Sequence, residues 1–455
     1  MNSLVSDAKS FYSHNYALWK GIGHHFKTPD TYLHEFKLRF PDVEISHRLS
    51  NLGLNFANNK QMPIHRWTNY LEGFSESFVY KIIEQFGLSS DHSILDPFAG
   101  SGTVNVAAMM KGIDSIGIEI NPTICRVLLT KTSWDTDPRE IERRYDAMVF
   151  SKKASVEPPA FLKTERQFQP EILENVLRIK EQVGLVDEPH LRCYFELAFA
   201  SILLPSSNLR RSPSIGYDKK KFKNLYPDLP FLLFEEKVKE IINDLRFVQT
   251  KVEKQGKSIS FCEDSKTFAL PEDIAVDAVI TSPPYLNSFD YVGNYKLEIG
   301  WMEDAASTKD LGELRDRMVL CDNVSRSMMK SYAEQPPLLS IDWLDYIIAA
   351  SKPRMRERIG IRRKDYPILL RKYFEDIHMV LSNMYKSIND WARVAWVVGD
   401  SLILDVYVPT DLITMMIAQR IGYRPTGIEI DRTRRSGIRR TFALRESILY
   451  FQKET

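Results

Sequence analysis

Cysteine is scarce in this chain: 455 residues hold four, Cys125, Cys193, Cys262 and Cys321, far apart and with no CxxC pair. That spacing excludes the usual zinc sites, so no metal is expected, and it points to reduced thiols in a cytoplasm. Long apolar runs are missing too. None approaches the roughly 20 residues needed to cross a bilayer, so no membrane association is expected. The opening MNSLVSDAKSFYSHNY has no basic start followed by an apolar core, which argues against a secretory signal. Internal repeats and low-complexity tracts are also absent, which sets aside solenoids and disordered linkers. Finally, the chain lacks a charge of one sign: its formal net charge is +1.

What is present suits an ordinary folded protein, with 44% hydrophobic and 27% charged residues. The length exceeds what one hydrophobic core comfortably serves, so a main domain with additions is expected. Charge is clustered locally in RRSPSIGYDKKKFK from Arg210, KPRMRERIGIRRKDYPILLRK from Lys352 and RTRRSGIRR from Arg432. Such patches matter more for a polyanionic partner than the sum does.

Residues 1–60 read as a polar, helical N-terminal extension. SESFVYKIIEQF has helical apolar spacing, with Ser75 placed to cap it. Next come a short apolar run and a glycine-rich turn, HSILDPFAGSGT, then a small-residue helix stopped by Gly112, then DSIGIEINP as a second strand. Strand, glycine turn, helix and strand together open a doubly wound α/β sheet, Rossmann-like in class. Residues 61–135 are therefore assigned to a core. Residues 136–255 read as a helical insertion, and residues 256–302 return to the core with SISFCEDS and VDAVITSPPY. Residues 303–372 read as a second, basic helical insertion suited to DNA contact. Residues 373–455 complete the core with alternating helices and strands.

The turn Asp96-Pro97-Phe98-Ala99-Gly100-Ser101-Gly102-Thr103 lies between strand and helix, where Gly100 and Gly102 let the backbone turn sharply and approach a ligand closely. Glu119 ends the next strand, close to the roughly 20-residue spacing at which an acid accepts ribose hydroxyls. No GxGxxG is present, so a pyrophosphate grip is not implied. The loop suits a cofactor with an amino-acid end and no phosphates, which describes S-adenosylmethionine. Asp264, after another strand, is placed to accept from an adenine amino group. The second motif, Thr281-Ser282-Pro283-Pro284-Tyr285, follows a fully apolar run. Two prolines fix an extended turn. A rigid rim of acceptors with one ring suits methylation of a base amino group, whose lone pair is delocalised into the base. Acceptance of its N–H groups by the Ser282 hydroxyl and the Pro283 carbonyl favours a tetrahedral nitrogen, and Tyr285 can stack on a flipped base.

These motifs resemble those of the amino-methyltransferase family of DNA methyltransferases. DPFAGSGT is similar to its cofactor motif, TSPPY to its catalytic motif, and PIHRWTNYLEGFSESFV to the segment that closes over the methionine end of the cofactor. FDYVGNYKLEIGWM resembles the segment that follows the catalytic motif in cytosine-N4 members. The resemblance implies a Rossmann-like S-adenosylmethionine-dependent methyltransferase sheet with helical insertions. Asp96, Phe98, Gly100, Ser101, Gly102 and Thr103 would line the cofactor, Glu119 would hold its ribose and Asp264 its adenine. Ser282, Pro283, Pro284 and Tyr285 would form the catalytic rim. Serine at the first position of the tetrapeptide is typical of cytosine-N4 enzymes, whereas aspartate or asparagine is typical of adenine-N6 enzymes.

The implied activity is site-specific methylation of cytosine N4 in double-stranded DNA, in restriction–modification or defence, with a cognate endonuclease as a possible companion. Adenine-N6 methylation is the first alternative. An RNA base methyltransferase and an inactive DNA-binding scaffold are the others. Arg354, Arg356, Arg358, Arg362, Arg363, Arg434 and Arg435 are the candidate DNA contacts, expected to grip phosphates rather than read sequence.

Overall fold

Runs of β-branched and aliphatic residues become short strands, and the longer amphipathic stretches become helices. The protein is described from a computed structural model covering residues 27–47, 56–70, 73–212, 214–218, 220, 225–286, 290–320, 326–357, 365–404, 406–436 and 442–455. In chain order its strands are β1 (Glu44–His47), β2 (Ser93–Asp96), β3 (Asp114–Ile118), β4 (Leu209–Arg211), β5 (Ile215–Tyr217) and β6 (Ser258–Phe261). They continue with β7 (Ala278–Thr281), β8 (Arg393–Gly399), β9 (Ser401–Ile403), β10 (Val406–Val408), β11 (Tyr423–Ser436) and β12 (Phe442–Lys453). The chain divides into two compact units. One comprises Met1–Asn51, Lys266–Ser288 and Val319–Thr455, the other Leu52–Ser265 and Phe289–Met318.

The second of these units carries the parallel strands β2, β3 and β6, in that order, with Leu95 beside Ile116 and Ile116 beside Ile259. Helix Thr103–Met110 leaves β2 directly and is buried through Met109, which its small residues Ala107 and Ala108 allow. Gly112 follows it at φ +71°, the left-handed conformation that ends a helix cheaply in glycine. Ser75 caps helix Glu76–Gln85 as expected, accepting from the Phe78 N–H. The stretch between β3 and β6 is mainly helical, and Ile172, Val176, Phe195, Phe199, Phe234, Val238 and Leu245 pack there in one apolar cluster. Antiparallel β4 and β5 form a small hairpin within it.

In the other unit the strand order is β1, β11, β12, β8, β7. β7 runs parallel to β8, β8 antiparallel to β12, β12 antiparallel to β11, and β11 parallel to β1. All of β7 is buried, and so is β8 beyond Arg393, consistent with their continuous apolar runs. A buried ionic group lies here. Arg445 on β12 donates to Asp400 at 3.0 Å and to Asp411 at 2.9 Å, and Tyr407 donates to Asp400. The chain is α/β and Rossmann-like in class, as expected from the sequence: β2, β3 and β6 are all parallel, and the other unit's strands are mixed, with β8, β12 and β11 antiparallel.

Two expectations are corrected. Residues 1–60 are not a purely helical extension: Pro29–Arg39 is a helix, but Glu44–His47 pairs with Gly427–Ile430 as a sheet strand. Its Ile45 finds an apolar neighbour in Ile428, a partner no local pattern could reveal. Nor are all the cysteines reduced. Cys125 and Cys262 are joined in a disulfide across 137 residues, with Cα atoms 5.7 Å apart.

Candidate functional site

Within the unit holding β2, β3 and β6, the glycine turn sits at the carboxyl end of β2. Gly100 (φ +52°) and Gly102 (φ +85°) adopt left-handed backbone that glycine reaches without strain. A Cβ on Gly102 would stand 2.5 Å from Leu128 Cδ1, and one on Gly100 2.8 Å from the Tyr70 ring. The turn is tied internally, where Phe98 N–H donates to Asp96 Oδ1 at 3.0 Å, and to β3, where Ala99 N–H donates to the Ile118 carbonyl at 3.0 Å. Glu119 closes it from the neighbouring strand, accepting from Gly100 N–H at 3.0 Å and from Asn121 N–H at 2.8 Å. Burial pushes the Glu119 carboxyl up to about 7, and the nearby Asp96 charge adds to this. The N–H groups of Asn121 and Gly100 oppose it. Ser101 Oγ is buried with no hydrogen-bond partner, a polar atom aimed at nothing the protein supplies.

Asp264 is half-buried at the end of β6, and its neighbour Ser265 donates to the Pro97 carbonyl, which draws this segment to the glycine turn. The Cys125–Cys262 disulfide ties helix Pro122–Lys131 to the same strand end. Three residues missed by sequence reasoning also belong here. Tyr70, beside Gly100, stacks on Tyr295 with ring centroids 5.6 Å apart, and the Arg211 guanidinium lies 4.3 Å from the Tyr295 ring. The sequence signal for Tyr70 and Tyr295 was membership of two motif-like segments, and for Arg211 membership of the basic stretch from Arg210.

In the other unit, Ser282, Pro283, Pro284 and Tyr285 continue from the buried end of β7. Pro283 is buried, and Ser282, Pro284 and Tyr285 are half-buried. The turn is held from outside by side chains far away in sequence. The Tyr373 hydroxyl donates to the Pro284 carbonyl at 3.0 Å, and the Tyr285 hydroxyl donates to Glu446 Oε1 at 3.0 Å. The Tyr285 ring lies against Gly399, where a Cβ would stand 3.0 Å from Cε2. Glu446 faces Gly399 across the β12–β8 ladder, and Arg432 on β11 donates to its other oxygen.

Of the basic residues singled out, Arg434 is exposed on β11. Arg435 lies on the same strand and Arg354 and Arg356 on helix Asp342–Glu357, but their side chains, like Arg358, Arg362 and Arg363, are outside the described residues. No group of His, Cys, Asp and Glu suited to a metal ion occurs among the described residues, and none of the described helices is long and apolar enough to cross a membrane.

Comparison with known proteins adds independent information. The DNA methylase family model of N6 and N4 methyltransferases matches residues 25–131, a span that contains the glycine turn and Glu119. The Type II methyltransferase M.BsoBI of Geobacillus stearothermophilus is 27% identical over 460 residues, covering 90% of this chain and 90% of that protein. The Type II methyltransferase M.AvaI of Nostoc sp. (strain PCC 7120) is 26% identical, covering 85% of this chain and 84% of its own. M.MvaI of Kocuria varians, also a Type II methyltransferase, is 20% identical and covers 80% of this chain. These similarities support the reading of the chain as an S-adenosylmethionine-dependent DNA amino-methyltransferase: the family model spans the glycine turn and its closing acid, and the Type II methyltransferases align along most of the chain.

Proposed function

We propose that the protein methylates the exocyclic N4 amino group of cytosine at a specific site in double-stranded DNA, as the modification half of a Type II restriction–modification pair. The observation that carries the choice of base is Ser282, the first residue of a rigid Ser-Pro-Pro-Tyr turn at the end of a buried strand. The choice of system leans on the Type II relatives, which align along most of this chain.

The cofactor residues suit the donor by their own geometry. Ser101 Oγ is a buried group short of a partner, Gly100 and Gly102 let the turn pack tightly against Tyr70 and Leu128, and Glu119 offers acceptor oxygens. Asp96, Phe98, Gly100, Ser101, Gly102 and Thr103 would face the methionine part, Glu119 the ribose and Asp264 the adenine. When bound, the sulfonium supplies an electrophilic methyl group. The protein's task is then to make the amino nitrogen a nucleophile. Ser282 Oγ and the Pro283 carbonyl accept from its N–H groups, most strongly as the nitrogen leaves the plane of the base. Tyr285 stacks on the extruded base, and Tyr373 keeps the turn from relaxing through the Pro284 carbonyl. Arg434 and Arg435, with the cluster from Arg354 to Arg363, would contact phosphates.

The deciding experiment incubates the purified protein with DNA and labelled S-adenosylmethionine, then digests the product to nucleosides for mass spectrometry. N4-methylcytosine is expected. N6-methyladenine would overturn the choice of base, and no labelled nucleoside from any DNA would overturn the activity.

A further inference from the structure

The ring that would stack on the base is held on more than one side before any DNA is present. Its hydroxyl donates to Glu446 at 3.0 Å. Its edge rests where Gly399 has no Cβ, so the ring lies closer to β8 than any other residue at that position would comfortably allow. Glu446 is itself fixed: it is 8% exposed and its second oxygen is held by Arg432, whose side chain is 48% exposed on β11. A hydroxyl bonded to an ionised carboxylate makes one of the stronger hydrogen bonds available to a tyrosine. The torsion of tyrosine about the ring axis is otherwise soft; the hydroxyl bond anchors the far end of that axis, and the contact of the ring edge with Gly399 limits rotation about it.

We infer that Glu446 is a positioning residue of the methyl-transfer step: it holds the Tyr285 ring in the stacking orientation, and Gly399 gives the ring the space to stand there. The inference rests on the reading of Ser282–Tyr285 as the catalytic rim. Glu446 touches neither base nor cofactor in this scheme; it acts through Tyr285. Because a preset platform does not have to be ordered when the base arrives, its benefit falls on the committed complex. Losing it slows transfer at saturating DNA and cofactor and leaves cofactor affinity alone.

The test uses the full chain with Tyr285→Ala, Tyr285→Phe, Glu446→Ala, Glu446→Gln and the double variant Tyr285→Phe/Glu446→Ala. For each, the single-turnover rate of methyl transfer into DNA is measured at saturating S-adenosylmethionine, together with cofactor affinity and thermal unfolding. Tyr285→Phe keeps the ring and deletes only the hydroxyl. It is expected to slow transfer about tenfold, the weight of one well-placed hydrogen bond. Glu446→Ala should slow it by a similar factor. Glu446→Gln, which keeps an acceptor oxygen, should recover most of the rate. The double variant should be no slower than the slower single one, since both changes remove one and the same bond. Cofactor affinity should stay at the wild-type value throughout. A wild-type rate in Tyr285→Phe, or factors that multiply in the double variant, would overturn the role of Glu446 while leaving the rim intact. A wild-type rate in Tyr285→Ala would instead remove the rim itself. If Glu446→Ala does not fold, Tyr285→Phe and Glu446→Gln still decide the matter.

Discussion

Glu119 offers the sharpest quantitative test, because its carboxylate is buried and yet is proposed to accept a ribose in its charged form. Its pKa stands at about 7 against a reference of 4.5, raised mainly by burial. That difference corresponds to about 3 kcal/mol spent on keeping the group ionised at pH 8 in the empty protein. If only the ionised form accepts the ribose hydroxyls, the binding-competent fraction falls from about nine in ten at pH 8 to about one in ten at pH 6, so the Kd for S-adenosylmethionine should rise about tenfold. The sign for stability is opposite. A carboxyl whose folded pKa is raised contributes stability that is fully present below 4.5 and lost as pH rises through about 7, so the unliganded protein should gain stability on going from pH 8 to pH 6. Calorimetric titrations at pH 6, 7 and 8 would measure the binding profile. Glu119→Gln provides the control: it should bind more weakly at pH 8, and the part of the pH dependence due to Glu119 should vanish. Any titration of the cofactor's own amino group would persist in that variant. An identical pH profile in wild type and Glu119→Gln would refute the assignment of the acid, and so would a flat profile in the wild type.

Gly102→Ala should lower stability by about 1–2 kcal/mol through the φ of +85° and displace Leu128, weakening cofactor binding; Gly184→Ala, with open space around it, should do neither in urea unfolding or calorimetry. Arg445→Met should cost about 3–5 kcal/mol in chemical denaturation at pH 8, since it strands Asp400 and Asp411 in the interior, and a loss under about 1 kcal/mol would show the group to be dispensable. Replacing Arg434 and Arg435 by alanine should flatten the dependence of DNA affinity on salt by about 0.9 in log–log slope for each phosphate no longer neutralised. An unchanged slope would assign them to an ordinary solvated strand edge.

What the sequence determined by itself was whatever a short stretch of backbone decides alone. Gly100, Gly102 and Gly112 were readable because only glycine reaches positive φ at no cost, and all three do so. Ser75 was readable because a cap bonds three residues ahead, as its hydrogen bond with Phe78 does. Pro283 and Pro284 were readable because prolines stiffen a turn wherever the rest of the chain goes. The acid at the end of β3 was legible for the same reason, since its bonds to Gly100 and Asn121 stay within one strand–turn–helix–strand unit. The tertiary structure decided every partner chosen by sheet register or by packing between distant segments. Glu446 meets Tyr285 because β12 aligns Glu446 with Gly399 on β8. Cys125 meets Cys262 because helix Pro122–Lys131 lies beside the end of β6, and Glu44–His47 became a strand because β11 offered it an edge. Arg445 could sit inside only where Asp400 and Asp411 converge from separate elements. Register sums many weak interactions along whole strands, and no window of neighbouring residues contains that sum.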